Sequence, residues 1–281
     1  MKYIVQIILG VILIFVLPHF FNDELQTELI GSGIVIIVTL IVAEWSYAAY
    51  ENRKRLLLVI QCCILSMRGK YIRFSMSYLY RIKINDKYLL VKNSNWEHYQ
   101  LVGGKYKRNS YTQNILLDME ARDDLKLQTT GLMKDDLAVF IPAKNAIKFI
   151  DWFNTKRNRE ISHWREFYEE LIEGKASVLP QNKFPYVNYN FMGSVITPLK
   201  KSPDCGWNCY EILQYDILDL LPTEEQQKEL DALFNNGDSE YIKWADEELI
   251  NNLGHDNRVK KPLYRIGAHT KWALNMKWSK S

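Results

Sequence analysis

The chain of 281 residues is 47% hydrophobic and 25% charged, with a mean hydropathy of -0.24, which excludes a disordered tail, a collagen-like fibre and a polytopic transporter. Its 36 Lys and Arg against 33 Asp and Glu leave a net charge of +3, too balanced for a protein that coats nucleic acid, and no DNA or RNA partner is expected. Four cysteines are too few for a disulfide scaffold. Neither Cys62-Cys63 nor the Cys205/Cys209 pair has a second metal-spaced pair beside it, so all four read as reduced thiols.

The first fifty residues form a region of their own. Tyr3 to Phe21 carries no charge, and about 19 residues at 1.5 Å each cover most of a hydrocarbon layer about 30 Å thick. A short acidic connection, NDELQTE, precedes a second apolar run, Leu29 to Ala43, extended by Trp45, Tyr47 and Tyr50. Two such runs side by side, with no small-residue cleavage site between them, predict a two-helix transmembrane hairpin over residues 1–50. Lys2 precedes the first run, Asp23, Glu24 and Glu28 lie between the two, and Arg53, Lys54 and Arg55 follow the second. The positive-inside rule then places both termini in the cytoplasm. Glu44 ends the apolar run and reads as a membrane-edge carboxylate.

Without residues 1–44 the chain keeps 35 basic against 29 acidic side chains, a net +6, because Lys2, Asp23, Glu24, Glu28 and Glu44 fall away. Anionic partners fit that surplus, either a ligand or, for the Arg53–Arg55 cluster, the anionic inner leaflet. Residues 51–70 include RLLLVIQCCILSM, a juxtamembrane helix. YIRFSMSYLYRIKI, KYLLVKN and HYQLVGGKY then alternate as paired strands with a turn at Asn85-Asp86. NILLDME, DLKLQTT and DLAVFIP read as short strands, AIKFIDWFNTK and EISHWREFYEELIEGK as helices. NYNFMGSVITPL and CYEILQYDILDLL read as further strands. TEEQQKELDALFNN opens as a helix, with Thr223 as cap and Gln226 at the capping-box position. The class is α+β, with one cytosolic domain over 71–281.

The chemistry concentrates in REFYEEL. On a helix Glu166, Glu169 and Glu170 stand at i, i+3 and i+4, so their carboxylates share a face that can converge on Mg2+ or Mn2+, or else form a solvated acidic face paired with Arg165 or Lys175. Gly103 and Gly104 let backbone N–H groups approach a phosphate, and are equally turn residues. Lys105, Lys107 and Arg108 lie beside them. Trp96, Tyr99, Tyr106, Trp207 and Tyr210 are candidates for stacking on bases. The histidines show no metal spacing, and no nucleophile elbow, P-loop or Rossmann fingerprint is present.

Arg165 to Glu170 matches the second half of the Nudix box, REUxEExGU with U a bulky apolar residue. KYLLVKNSNWEHYQLVGGKYK resembles the strand pair and glycine corner that precede it, and YEILQYDILDLLPTEEQQKEL the late strand and helix of the same fold. The resemblance covers Tyr71 to Leu274. It implies a Nudix-like mixed sheet with flanking helices. Its departures are specific: Val102 replaces the corner proline, Arg157 stands where the upstream glutamate belongs, Asp151 where the first glycine belongs and Ile172 where the last belongs. More than fifty residues separate corner from box, a large insertion at about 105–160. These departures point away from hydrolysis while keeping three metal-facing glutamates.

A degenerate Nudix domain behind two N-terminal spans resembles the SMODS-associated Nudix sensors of bacterial anti-phage cyclic-oligonucleotide systems (CBASS), and IGAHTKWAL, Ile266 to Leu274, fits that group's C-terminal end. The resemblance implies a domain that binds a cyclic di- or trinucleotide made by a companion nucleotidyltransferase, and an inner-membrane effector whose spans assemble as a homo-oligomer and breach the lipid. It implies no required cofactor, with Mg2+ optional at Glu166, Glu169 and Glu170. By charge, stacking and backbone access, the ligand candidates for such a domain are Gly103, Gly104, Lys105, Trp96, Tyr106, Trp207 and Tyr210. Two other readings stand beside it: a membrane-anchored Nudix pyrophosphohydrolase, in which the three glutamates hold magnesium, and a tethered interaction domain without a ligand.

Overall fold

The computed structural model describes residues 11–16, 19, 23–93, 97–124, 135–202 and 209–279. The chain divides into two compact units, residues 1–61 and 62–281.

In the first unit residues 11–15 are helical, followed by α1 (Asp23–Glu51, 29 residues). Within α1, Thr27–Tyr47 forms a 21-residue stretch of mean hydropathy 2.1 with 6% of its apolar window buried. At 1.5 Å per residue it measures about 31 Å, enough for one bilayer crossing. This is the one helix of that length and apolarity among the described residues. The expected acidic loop is not a loop: Asp23 to Glu28 form the first turns of α1, with Thr27 Oγ1 donating to the Asp23 carbonyl at 3.0 Å. Acidic side chains in a first helical turn oppose the positive end of the helix dipole, which favours starting the helix there. Most of the first apolar run lies outside the described residues. The next helix, α2 (Arg53–Met67), lies within the 51–70 stretch read as helical.

The second unit is built on β1 (Tyr71–Arg81). Its even-numbered side chains Ile72, Phe74, Met76, Tyr78 and Tyr80 are all 0% exposed. The small or alternating residues between them let helices cover both faces. The short β2 (Lys83–Ile84) leads through Asn85 and Asp86, both at positive φ, into β3 (Lys87–Lys92) and then β4 (Tyr99–Lys105). Two consecutive positive φ values give the tight hairpin turn whose twist matches paired strands.

The segment read as a strand at NILLDME is instead α3 (Ser110–Asp118). The reason is local: Asn109 caps it, accepting from the Thr112 N–H at 2.8 Å, while Thr112 Oγ1 accepts from the Asn109 N–H at 3.2 Å. After β5 (Arg122–Asp123) come β6 (Ala138–Pro142), α4 (Ala146–Asn154) and α5 (Trp164–Leu171). DLKLQTT lies outside the described residues beyond Asp124. The remaining elements are β7 (Asn188–Ile196), β8 (Lys200–Lys201), β9 (Tyr210–Leu221), α6 (Glu224–Asn236), β10 (Ile242–Asp246), α7 (Glu247–Asn251) and, after the two-residue strands β11 (His255–Asp256) and β12 (Lys261–Pro262), α8 (Ala268–Asn275). The Thr223/Gln226 capping box forms as read.

Topology places the site. β9 runs parallel to β1 along Ile72–Arg81. On its other edge β1 is shared, with β6 paired to Tyr71–Ser75 and β4 to Ser77–Tyr80. The sheet therefore forks at Met76. There Met76 N–H donates to Leu137 O at 3.1 Å, and Tyr106 N–H donates to Met76 O at 3.0 Å. One apolar layer joins Leu79, Leu90, Leu101, Ile217, Ile250 and Trp272. The opposite layer holds Phe149 of α4 against Phe74, with ring centroids 4.6 Å apart, and Phe167 of α5 against Tyr80 at 5.8 Å.

Candidate functional site

The fork exposes the end of β4, where Gly103 and Gly104 pair with Leu79 and Tyr78. Gly103 has φ +144°, and a Cβ there would overlap the Tyr78 carbonyl; a Cβ on Gly104 would overlap the Glu166 carboxylate. The glycines are thus required by close approach of β1 on one side and α5 on the other. Gly103 N–H donates to Glu170 Oε2 at 2.8 Å, and Glu166 N–H donates to the Tyr78 hydroxyl at 3.3 Å. Two of the three box glutamates therefore dock α5 on the glycine corner.

Arg165 gathers the remaining acid. Nε and Nη2 donate to Glu160 at 2.9 and 3.2 Å. Nη1 reaches Glu166 at 2.6 Å and Glu169 at 3.2 Å, and Nη2 also reaches the Lys105 carbonyl at 2.7 Å. Burial works against its charge, yet the Glu160 bonds and the Glu166 carboxylate raise Arg165 above its ordinary value. Burial pushes Glu166 up to about 7, with Arg165 opposing. It drives Glu170 well above the usual carboxylate range, with Glu166 adding to the rise. Glu160 was not among the residues singled out, because its distance from Arg165 differs from the box spacing. It also accepts from the Lys107 N–H at 2.6 Å.

Whether this face suits a divalent cation is a matter of its donors. Arg165 already spans Glu166 and Glu169, and Glu170 turns an oxygen to backbone. Among the described residues no three His, Cys, Asp or Glu side chains gather into a metal-holding group. In this arrangement Arg165 and the Gly103 N–H, as an internal clamp, engage an oxygen of each of the three glutamates.

Tyr106 is not a stacking platform. It is 0% exposed, and its hydroxyl donates to Asp216 Oδ2 at 2.6 Å. With that proton spent, neutral His163 donates from Nε2 to the Tyr106 oxygen and accepts the Tyr189 hydroxyl at Nδ1, each at 2.8 Å. Burial lowers His163 to about 4. Ser194 Oγ completes the network on Asp216 Oδ1 at 2.6 Å. Lys105 and Lys107 both reach Asp136, at 3.5 and 2.5 Å, and Arg108 reaches Asp123 at 2.5 Å, so these cations meet acids within the fold. Tyr210 pairs with Ile72 at the far end of β1, about 20 Å from the glycine corner at 3.3 Å per residue. Tyr99 donates to the Glu240 carbonyl at 2.7 Å. Trp96 and Trp207 lie outside the described residues. Cys62 and Cys63 are free thiols as read, but Cys209 is disulfide-bonded, which corrects the reading of four reduced thiols.

The structure offers aromatic surface elsewhere. Trp164 and Tyr168 on α5 lie with ring centroids 4.6 Å apart and planes tilted by 30°. Tyr168, Ile172, Pro180 and Gln181 line a cleft of about 580 Å³. Gln181 also borders a neighbour of about 520 Å³ at Trp164 and Pro185. Both are open, shallow depressions rather than enclosed cavities.

A forked mixed sheet, a glycine corner and a glutamate-bearing helix clamped to it by arginine define a Nudix-like domain. The chain belongs to the SMODS-associated NUDIX domain family, whose model matches residues 71–274. No curated protein matches it.

Proposed function

We propose that this chain is a membrane effector of a bacterial anti-phage cyclic-oligonucleotide system, in which the Nudix-like domain binds a cyclic di- or trinucleotide and the apolar N-terminal segment disrupts the inner membrane on assembly. A companion nucleotidyltransferase supplies the ligand. The observation that carries this reading is a domain of the SMODS-associated family following a helix of spanning length. The Arg165 clamp supports binding over turnover, since the acids a hydrolase would commit to a cation are held by an internal guanidinium. The Trp164–Tyr168 pair beside the two clefts supplies a surface on which bases stack. Ligand drives assembly only as far as it binds the assembled state more tightly than the monomer.

The test is a thermal-shift screen of the full chain in detergent with 3′,3′-cyclic GMP-AMP, cyclic di-GMP and cyclic tri-AMP, followed by dye release from liposomes carrying the protein. Stabilisation by one intact cyclic nucleotide together with release is the expected result. Release that persists when residues 1–44 are deleted overturns the membrane half. The alternative, hydrolysis of a nucleoside diphosphate compound, is favoured by one observation: Glu166, Glu169 and Glu170 all lie on the short helix α5, which docks on the glycine corner through Glu170. Turnover of a linear diphosphate in the same samples would establish it.

A further inference from the structure

A single irregularity in β7 decides which of its side chains share a face. Tyr189, Phe191 and Ser194 stand opposite Leu220, Leu218 and Asp216 of β9. Residues two apart on a strand point to the same side, so these three form one row. The register shifts between Phe191 and Gly193, which makes Met192 an extra residue. Without that bulge Gly193 and Val195 would continue the row and Ser194 would face the other way. The row matches four steps of β9, about 13 Å at 3.3 Å per residue. Phe191 and Ser194 are exposed along it and Tyr189 partly so.

Both hydroxyls in the row are backed by groups that take their protons inward. Tyr189 donates to His163 Nδ1 at 2.8 Å, and Ser194 donates to Asp216 Oδ1 at 2.6 Å. Asp216 is 3% exposed and also receives the Tyr106 hydroxyl at 2.6 Å and Gln214 Nε2 at 3.3 Å. A hydroxyl has one proton and two lone pairs. With the proton committed, each oxygen is left to accept. Between them lies the Phe191 ring, 47% exposed. After α4 the chain reverses at Lys156, φ +57°, and its Nζ stands 4.3 Å from the Phe191 ring centroid. Lys156 and the following Arg157 are both exposed, and among the described residues neither meets a carboxylate.

We infer that this face of β7 is a nucleotide-binding site, in which the base lies on Phe191 with N–H groups toward the Tyr189 and Ser194 oxygens and the phosphate takes Lys156 and Arg157. Each part selects one chemical feature: a flat π surface, hydrogen-bond donors on it, and an anion beside it. A base replaces the ammonium on the ring, and the freed ammonium makes a charge-assisted bond to phosphate. The buried network fixes both hydroxyls beforehand, which lowers the ordering cost of binding. The site uses none of the residues lining the two clefts at α5, and it rests neither on membrane insertion nor on a signalling role.

The full chain in detergent is titrated calorimetrically with AMP, GMP, 3′,3′-cyclic GMP-AMP, inorganic phosphate, and purine riboside monophosphate, whose base carries no N–H. One or more of the first three is expected to bind, with purine riboside monophosphate several-fold weaker than AMP and phosphate weaker still. Phe191→Ala and Lys156→Gln are each expected to weaken the nucleotide about tenfold, the middle of the range for one stacked base. Ser194→Ala is expected to weaken it several-fold, and Phe191→Trp to restore it. Unliganded thermal midpoints of Phe191→Ala and Lys156→Gln at the wild-type value show that contact rather than fold was lost. Binding by none of the probes at millimolar concentration overturns the site, as does affinity unchanged in Phe191→Ala and Lys156→Gln, or equal affinity for AMP and purine riboside monophosphate. Loss in Trp164→Ala alone places the nucleotide in the clefts, which overturns this site and leaves the effector reading standing. AMP or GMP binding that depends on Phe191, in a chain that no cyclic nucleotide stabilises, supports the site although the effector reading fails.

Discussion

Arg165 and Glu160 meet through two hydrogen bonds, Nε to Oε1 at 2.9 Å and Nη2 to Oε2 at 3.2 Å, with a third residue, Lys107, donating its backbone N–H to the same carboxylate at 2.6 Å. Both side chains are mostly shielded, 22% and 15% exposed. Their pairing joins the segment before α5 to the end of β4 and steadies the acids around the glycine corner.

Glu160→Ala removes three acceptor contacts and leaves Arg165 and a backbone N–H short of partners. The expected loss is about 2–3 kcal/mol, between a neutral hydrogen bond and a fully buried ion pair. Urea denaturation of the full chain in detergent checks it, with Glu160→Gln expected to lose less because one acceptor remains.

The two glycines predict an order. Gly103→Ala meets the backbone carbonyl of Tyr78 and a φ of +144°, whereas Gly104→Ala meets the Glu166 side chain. A side chain can swing aside and a strand carbonyl cannot. Gly103→Ala is expected to cost about 3 kcal/mol and Gly104→Ala about 1–2 kcal/mol. Thermal midpoints of the two variants give the ranking.

Acid titration has a defined sign. His163 and the partly buried His269 are both held near 4 by desolvation, below the unfolded value of about 6.5. Stability from these neutral imidazoles is fully present above about 6.5 and is lost as pH falls from there through about 4. Glu166 acts oppositely: its folded value near 7 exceeds the ordinary 4.5, so its protonated form stabilises below about 4.5 and that contribution disappears as pH rises through 7. Denaturation midpoints across pH 4–8 are expected to show a flatter acid limb for His269→Gln and a flatter neutral limb for Glu166→Gln.

Tyr106→Phe deprives Asp216 of its short donor and leaves His163 Nε2 without its acceptor. The expected cost is about 2 kcal/mol. A loss of stability with no change in ligand-induced thermal shift would mark Tyr106 as a framework residue, as its full burial requires.

If bases stack on α5, Trp164→Ala and Tyr168→Ala each weaken binding of the stabilising cyclic nucleotide by about 1–3 kcal/mol. Isothermal titration reads it. Unchanged affinity in both variants removes these clefts as the binding surface.

Much of the architecture was legible in local pattern. Alternation marked β1, β3, β4, β7 and β9, the Thr223/Gln226 box marked α6, and the uncharged run Leu29–Ala43 marked the apolar stretch of α1, because strand alternation, capping and helix apolarity are each set by near neighbours in sequence. The three glutamates were visible for the same reason, sharing one helical face. Tertiary structure alone decided what those glutamates do. Arg165 reaches Glu160 only because the chain before α5 turns back along β4, and Tyr106 points into the core because β1 forks at Met76, joining it to Asp216 at a sequence distance of 110 residues. An apolar residue's spacing is written in the sequence, but its burial depends on what the rest of the chain packs against it.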